Sequence, residues 1–129
     1  MQKLFIIHLA LMATSLAFIV TAVLIAKARK AGWLKRHKPL ALTGAASALT
    51  GFIVIFFAKT MAQFPHFNSP HAFAGLAVVF ILLFTATVGF RLAGGPPGLR
   101  PLHRVLGRIA AIVIVITAVS GLLRFLQLS

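Results

Sequence analysis

The sequence predicts an all-α integral membrane protein, a bundle of four transmembrane helices running up-down-up-down, and three observations carry that expectation. Of its 129 residues 60% are hydrophobic and 10% charged, with a mean hydropathy of +1.05, whereas a soluble domain carries roughly 25% charged residues. Four apolar runs each reach the ~20 residues needed to cross a bilayer. Short segments of proline, glycine and cations separate them, so residues 1–129 read as a single transmembrane domain.

The first run, Leu4 to Ala26, is longer than the ~7–15 apolar residues of a signal peptide. Lys27, Arg29 and Lys30 follow it at once, so it reads as a retained span. The second covers approximately Pro39–Ala58, with Pro39 just inside its start. The third, His71–Phe90, follows Pro65 and Pro70, and the fourth, His103–Phe125, follows Gly94-Gly95-Pro96-Pro97-Gly98. Proline suits the first turn of a helix and disfavours its continuation. Connections this short require antiparallel neighbours.

Charge sets the orientation. The segment between the first two spans holds Lys27, Arg29, Lys30, Lys35, Arg36 and Lys38, and the segment between the last two, with its flanks, holds Arg91, Arg100, Arg104 and Arg108. Only Lys3, Lys59 and Arg124 fall on the opposite side. By the positive-inside rule the first and third connections are cytoplasmic and both termini lie outside. A net charge of +13 with most Lys and Arg in or beside short inter-span segments speaks for attraction to anionic lipid, not for nucleic acid, whose binders cluster cations on one face of a folded domain.

The chain contains no Asp, Glu or Cys. That excludes carboxylate acid/base pairs, carboxylate metal cages, thiolate sites and acidic proton relays. The residues with ligating chemistry are histidines, and four of the five fall one per span near its start: His8, His37, His71 and His103. In an antiparallel bundle His8 and His71 share the outer level and His37 and His103 the inner level, each pair facing across a diagonal. Two imidazoles per level suit a six-coordinate haem iron, whereas zinc wants three or four ligands in a tetrahedron. The reading is two b-type haems, one near each membrane surface. With both axial positions filled, electron transfer is the natural task and oxygen activation is not.

Gly75 and Gly107 each follow a histidine by four residues and so share its helix face; they leave room for a porphyrin, or equally for close helix packing. Arg104, Arg108 and Lys38, with Lys35 and Arg36, are candidate partners for haem propionates on the inner side, and Lys3, Lys59 or Arg124 on the outer. His66 lies outside the pattern, in the loop Gln63-Phe64-Pro65-His66-Phe67-Asn68. Two other readings use the same residues: a cofactor-free scaffold or assembly subunit, and copper handling on the outer side through His8, His71, His66 and Met61.

Pro101-Leu102-His103-Arg104-Val105-Leu106-Gly107-Arg108 resembles the last haem-bearing helix of the cytochrome b561 family, and Ser69-Pro70-His71-Ala72-Phe73-Ala74-Gly75 the one before it. The resemblance, which extends to bacterial relatives, covers nearly the whole chain. It implies a four-helix core with one histidine ligand per helix, pairing first with third and second with fourth. It also implies two haem b groups and transmembrane electron transfer. The expected role is that of an oxidoreductase subunit of a larger membrane complex with a membrane quinone or a redox protein as partner, and the cation asymmetry places it in the bacterial inner membrane with periplasmic termini. Eukaryotic members carry two further helices that are lacking here, and no ascorbate-contacting residues can be placed.

Overall fold

The computed structural model describes residues 2–92, 94–95 and 98–128. It contains four helices in chain order: α1 Gln2–Ala28, α2 Trp33–Met61, α3 Pro70–Leu92 and α4 Leu99–Leu128. All four are long and apolar enough to cross a membrane. At 1.5 Å per residue the 27 residues of α1 reach ~40 Å, more than the ~30 Å hydrocarbon core. Apolar side chains cover the outside, with Phe57, Phe80, Ile116 and Leu126 all near 60% exposed, as lipid contact allows and water does not.

The helices begin and end beyond the apolar runs. Pro39 was expected in the first turn of the second span; α2 instead starts at Trp33, which puts Pro39 inside the helix. An apolar run marks where hydrocarbon is crossed, whereas helix continues through the interface because long cationic side chains keep helical backbone there while their charges reach water. The α1–α2 connection is four residues, with Arg29 and Gly32 at positive φ (48° and 71°) and the Arg29 amide donating back to Ile25 O at 3.2 Å. The α2–α3 connection is tied by Lys59, whose ammonium donates to Pro65 O (2.7 Å), His66 O (3.1 Å) and Asn68 Oδ1 (3.3 Å). In the α3–α4 connection, Pro96 and Pro97 lie outside the described residues.

α1 packs closely on α2, and α3 on α4. The α2–α3 and α1–α4 seams are thinner, and among the described residues the backbones of the diagonal helices stay apart. The close approach in the first hairpin comes from small residues on α2: an added Cβ at Gly44 would sit 2.8 Å from Ile19 Cγ1, and one at Gly51 2.6 Å from Met12 Cε. Membrane helices associate through such close packing, since lipid offers no hydrophobic drive between them.

The four histidines mark a common register. Seven residues on from each stand Ser15, Gly44, Val78 and Ala110, all buried; eleven on stand Ile19, Ala48, Leu82 and Ile114, all buried too. A repeat of seven with inward residues at 0, 7, 11 and 14 is the seam of helices that coil around one another at 3.5 residues per turn. The Ser15 layer lies at mid-height, where Ser15 Oγ donates to Gly44 O at 2.7 Å. Ile19, Ala48, Val78, Leu82, Ala110 and Ile114 belong to the dry core around it.

Candidate functional site

The same register positions the four span histidines. His8 Nδ1 lies 2.9 Å from Gly51 O, His37 Nδ1 2.9 Å from Ala22 O, His71 Nδ1 3.1 Å from Thr117 O, and His103 Nδ1 3.1 Å from Thr85 O. Ala22, Gly51, Thr85 and Thr117 each stand fourteen residues after the histidine of their own helix. Each helix therefore supplies an imidazole near one end and, four turns later, the carbonyl that anchors its hairpin partner's imidazole. Fourteen residues rise ~21 Å, which sets the axial separation of the two histidine levels.

A carbonyl oxygen only accepts. The hydrogen must therefore sit on Nδ1, and in the neutral ring the lone pair is left on Nε2, the nitrogen that points away from the anchor. Fixing the tautomer and ring angle through the distal nitrogen is how proteins prepare histidine to ligate a metal. His71 has a second contact, with Ser120 Oγ at 3.1 Å, while that hydroxyl donates to Thr117 O at 2.9 Å.

In the second hairpin each ring also rests on a glycine. A Cβ at Gly121 would lie 2.7 Å from His71 Cε1, and one at Gly89 2.9 Å from His103 Cε1. Helices α3 and α4 thus carry one pattern twice, antiparallel: His71, Gly75, Thr85, Gly89 and His103, Gly107, Thr117, Gly121 at identical spacing. The anchoring carbonyls and the paired Gly89 and Gly121 were missed by reading the sequence, although the repeated spacing was there to be counted. Gly75 and Gly107, predicted as clearances, have nothing within 4 Å of an added Cβ. They border open space one turn from His71 and His103.

Levels and pairs follow from the topology. At the end that carries the α1–α2 and α3–α4 connections, the His37 and His103 rings have centroids 6.2 Å apart and planes at 88°. Two metal–nitrogen bonds of about 2 Å plus the two ring radii come to about 6 Å, so the spacing suits one metal between them. At the opposite end stand His8 on α1 and His71 on α3, with Phe5 lying 6.5 Å from the His8 ring. Among the described residues no three histidines converge. Each level offers two neutral nitrogens with no carboxylate, a donor set that fits haem b.

The cations take different positions. Lys38, Arg104 and Arg108 are exposed, with Lys38 Nζ 6.0 Å over the Phe90 ring. His66 stacks on Phe56 at 4.0 Å and its Nε2 lies 3.2 Å from Thr60 Oγ1, which holds it in the α2–α3 loop.

Four membrane-length helices, each with one carbonyl-anchored histidine, describe a polytopic membrane cytochrome. A family model described as eukaryotic cytochrome b561 matches residues 5–124, and the chain belongs to the cytochrome b561 family. Membership implies haem b binding and electron transfer across a membrane. Comparisons with curated proteins and with solved structures gave no match.

Proposed function

We propose that this chain is a di-haem cytochrome in which His8 and His71 ligate one haem b and His37 and His103 the other, so that an electron crosses the bilayer along the bundle axis. The carrying observation is the shared register: four imidazoles, each with Nδ1 donating to a carbonyl fourteen residues along a neighbouring helix. Haem b would supply a one-electron iron couple at each level. The protein's part is to hold four Nε2 atoms inward, to keep the layers around Ser15 and Leu82 dry, and to leave space at Gly75 and Gly107. Lys38 and Arg104, each next in sequence to an inner histidine, supply positive charge for propionates.

The ten-to-three distribution of cations favours a bacterial inner-membrane protein with the His37–His103 level cytoplasmic and both termini periplasmic. A membrane quinol suits a protein embedded in lipid, and a redox protein within a larger complex is the other partner; with no acidic side chain in the chain, quinol protons would have to leave through His, Ser, Thr or water.

Purified protein assayed as the pyridine hemochrome should give two haems per chain, with sharp α and β bands on reduction. Replacing His8 or His71 by Ala should remove the same one haem, and replacing His37 or His103 the other. A colourless protein would leave a scaffold, and a single haem per chain would overturn the paired levels.

A further inference from the structure

A second site lies on the outside of the bundle. Along the α1–α4 seam runs an apolar groove of about 350 Å³, walled by Val20, Val23 and Leu24 on α1 and by Ala111, Ile112 and Val115 on α4. Its walls turn cationic toward the end that carries the α1–α2 and α3–α4 connections. Lys27 follows Val23 and Leu24 by four and three residues, and Arg108 precedes Ala111 and Ile112 by three and four. Each is thus one turn along the same helix face as the groove wall. Arg104 and Arg100 continue the Arg108 row at four-residue spacing, and Lys27, Arg100, Arg104 and Arg108 are all exposed.

Side chains on a helix lean toward its N-terminus, which for α4 is the cation-rich end. The Arg108 side chain therefore leans from the edge of the groove toward headgroup depth, where its guanidinium meets water and phosphate. No acidic side chain exists in the chain to neutralise these groups.

We propose that this groove is a binding site for an anionic phospholipid of the leaflet on the cation-rich side, with an acyl chain between α1 and α4 and the phosphate held by Arg108 and Lys27, Arg100 lying further along the row. A zwitterionic lipid fills the groove equally well but brings its own ammonium to the cations, so charge gives the preference. A second copy of the chain packed symmetrically on this face would set one arginine row against the other, a like-charge contact that opposes association.

The test uses full-length, haem-loaded protein and two probes with identical acyl chains, phosphatidylglycerol and phosphatidylcholine, titrated in detergent and read by native mass spectrometry. Phosphatidylglycerol should bind at least tenfold tighter. The double variant Lys27→Gln/Arg108→Gln should lose about 10- to 30-fold of that affinity, at ~1 kcal/mol per cation, and keep its affinity for phosphatidylcholine. Val115→Phe fills the groove from an exposed position with the charges intact, and it should weaken both lipids. Equal affinity of the native protein for the two probes overturns the proposal, as does undiminished phosphatidylglycerol binding in either variant. Recovery of a quinone or a second chain in the groove overturns it too.

Discussion

Gly121→Ala tests the reasoning about the cradle under His71 most directly. The added Cβ would stand 2.7 Å from His71 Cε1, 3.2 Å from Nδ1 and 3.4 Å from Nε2. Carbon–carbon contacts settle at about 3.5–4.0 Å, so the ring must retreat by roughly 1 Å. Its Nδ1 is already 3.1 Å from Thr117 O, and a retreat of that size takes the pair beyond hydrogen-bond range. Gly121 is helical backbone packed between neighbours, so the ring is the part that yields. Overpacking of this kind costs about 1–3 kcal/mol, and disturbing the partner that orients a ligating histidine typically costs 10–100-fold in metal affinity. The readout is haem content by pyridine hemochrome together with a redox titration of the α band. One of two transitions should weaken or vanish, the one also lost in His71→Ala, while the other stays. Gly89→Ala should do the same to the His37–His103 centre. Gly75→Ala separates this effect from haem clearance: its Cβ meets nothing in the bare fold, so apoprotein stability should hold while haem binding falls. If Gly121→Ala keeps two haems with both transitions unmoved, the glycine is a helix-packing residue and the cradle argument fails.

Other expectations are more local. Ser15→Ala removes a buried donor 2.7 Å from Gly44 O and should lower stability by about 0.5–1.5 kcal/mol, measured by thermal unfolding in detergent; haem content should not change. Lys59→Met releases the three acceptors that tie residues 62–69. Discounted for exposure, the loss is about 1 kcal/mol, so hydrogen exchange in that loop should quicken five- to tenfold while the histidine levels are untouched. Gly44→Val should disrupt the α1–α2 hairpin, since even a Cβ there lies 2.8 Å from Ile19 Cγ1 and 3.2 Å from the Ile19 backbone nitrogen; failure to purify a monodisperse protein is the expected outcome, and normal yield would refute the close approach.

Much of the fold was legible because hydropathy reports burial in lipid directly: four runs, four helices, with alternating direction set by connection length. The single histidine per span was legible for the same reason, as the one polar residue type that recurs at matched depth. Helix ends were less so, because Trp33 to Lys38 is helical in spite of its charge, which lies where the interface admits water. The anchors escaped notice because a backbone carbonyl leaves no residue signature: Ala22, Gly51, Thr85 and Thr117 share a position but not one residue type. Only the doubled pattern on α3 and α4, where threonine and glycine recur at the same distance from histidine, put that geometry into the letters themselves.

The packing of the bundle as two tight hairpins with thin seams between them has a consequence for biogenesis. Each hairpin holds both of its imidazoles in place against its own backbone, yet presents one nitrogen at each depth, so neither half offers a complete coordination site. On the proposed ligation a porphyrin is captured only when the two halves meet, and each then acts as a rivet across a joint that packing alone leaves weak. On the same ligation the first hairpin alone, with one imidazole at each level, would sequester no haem iron.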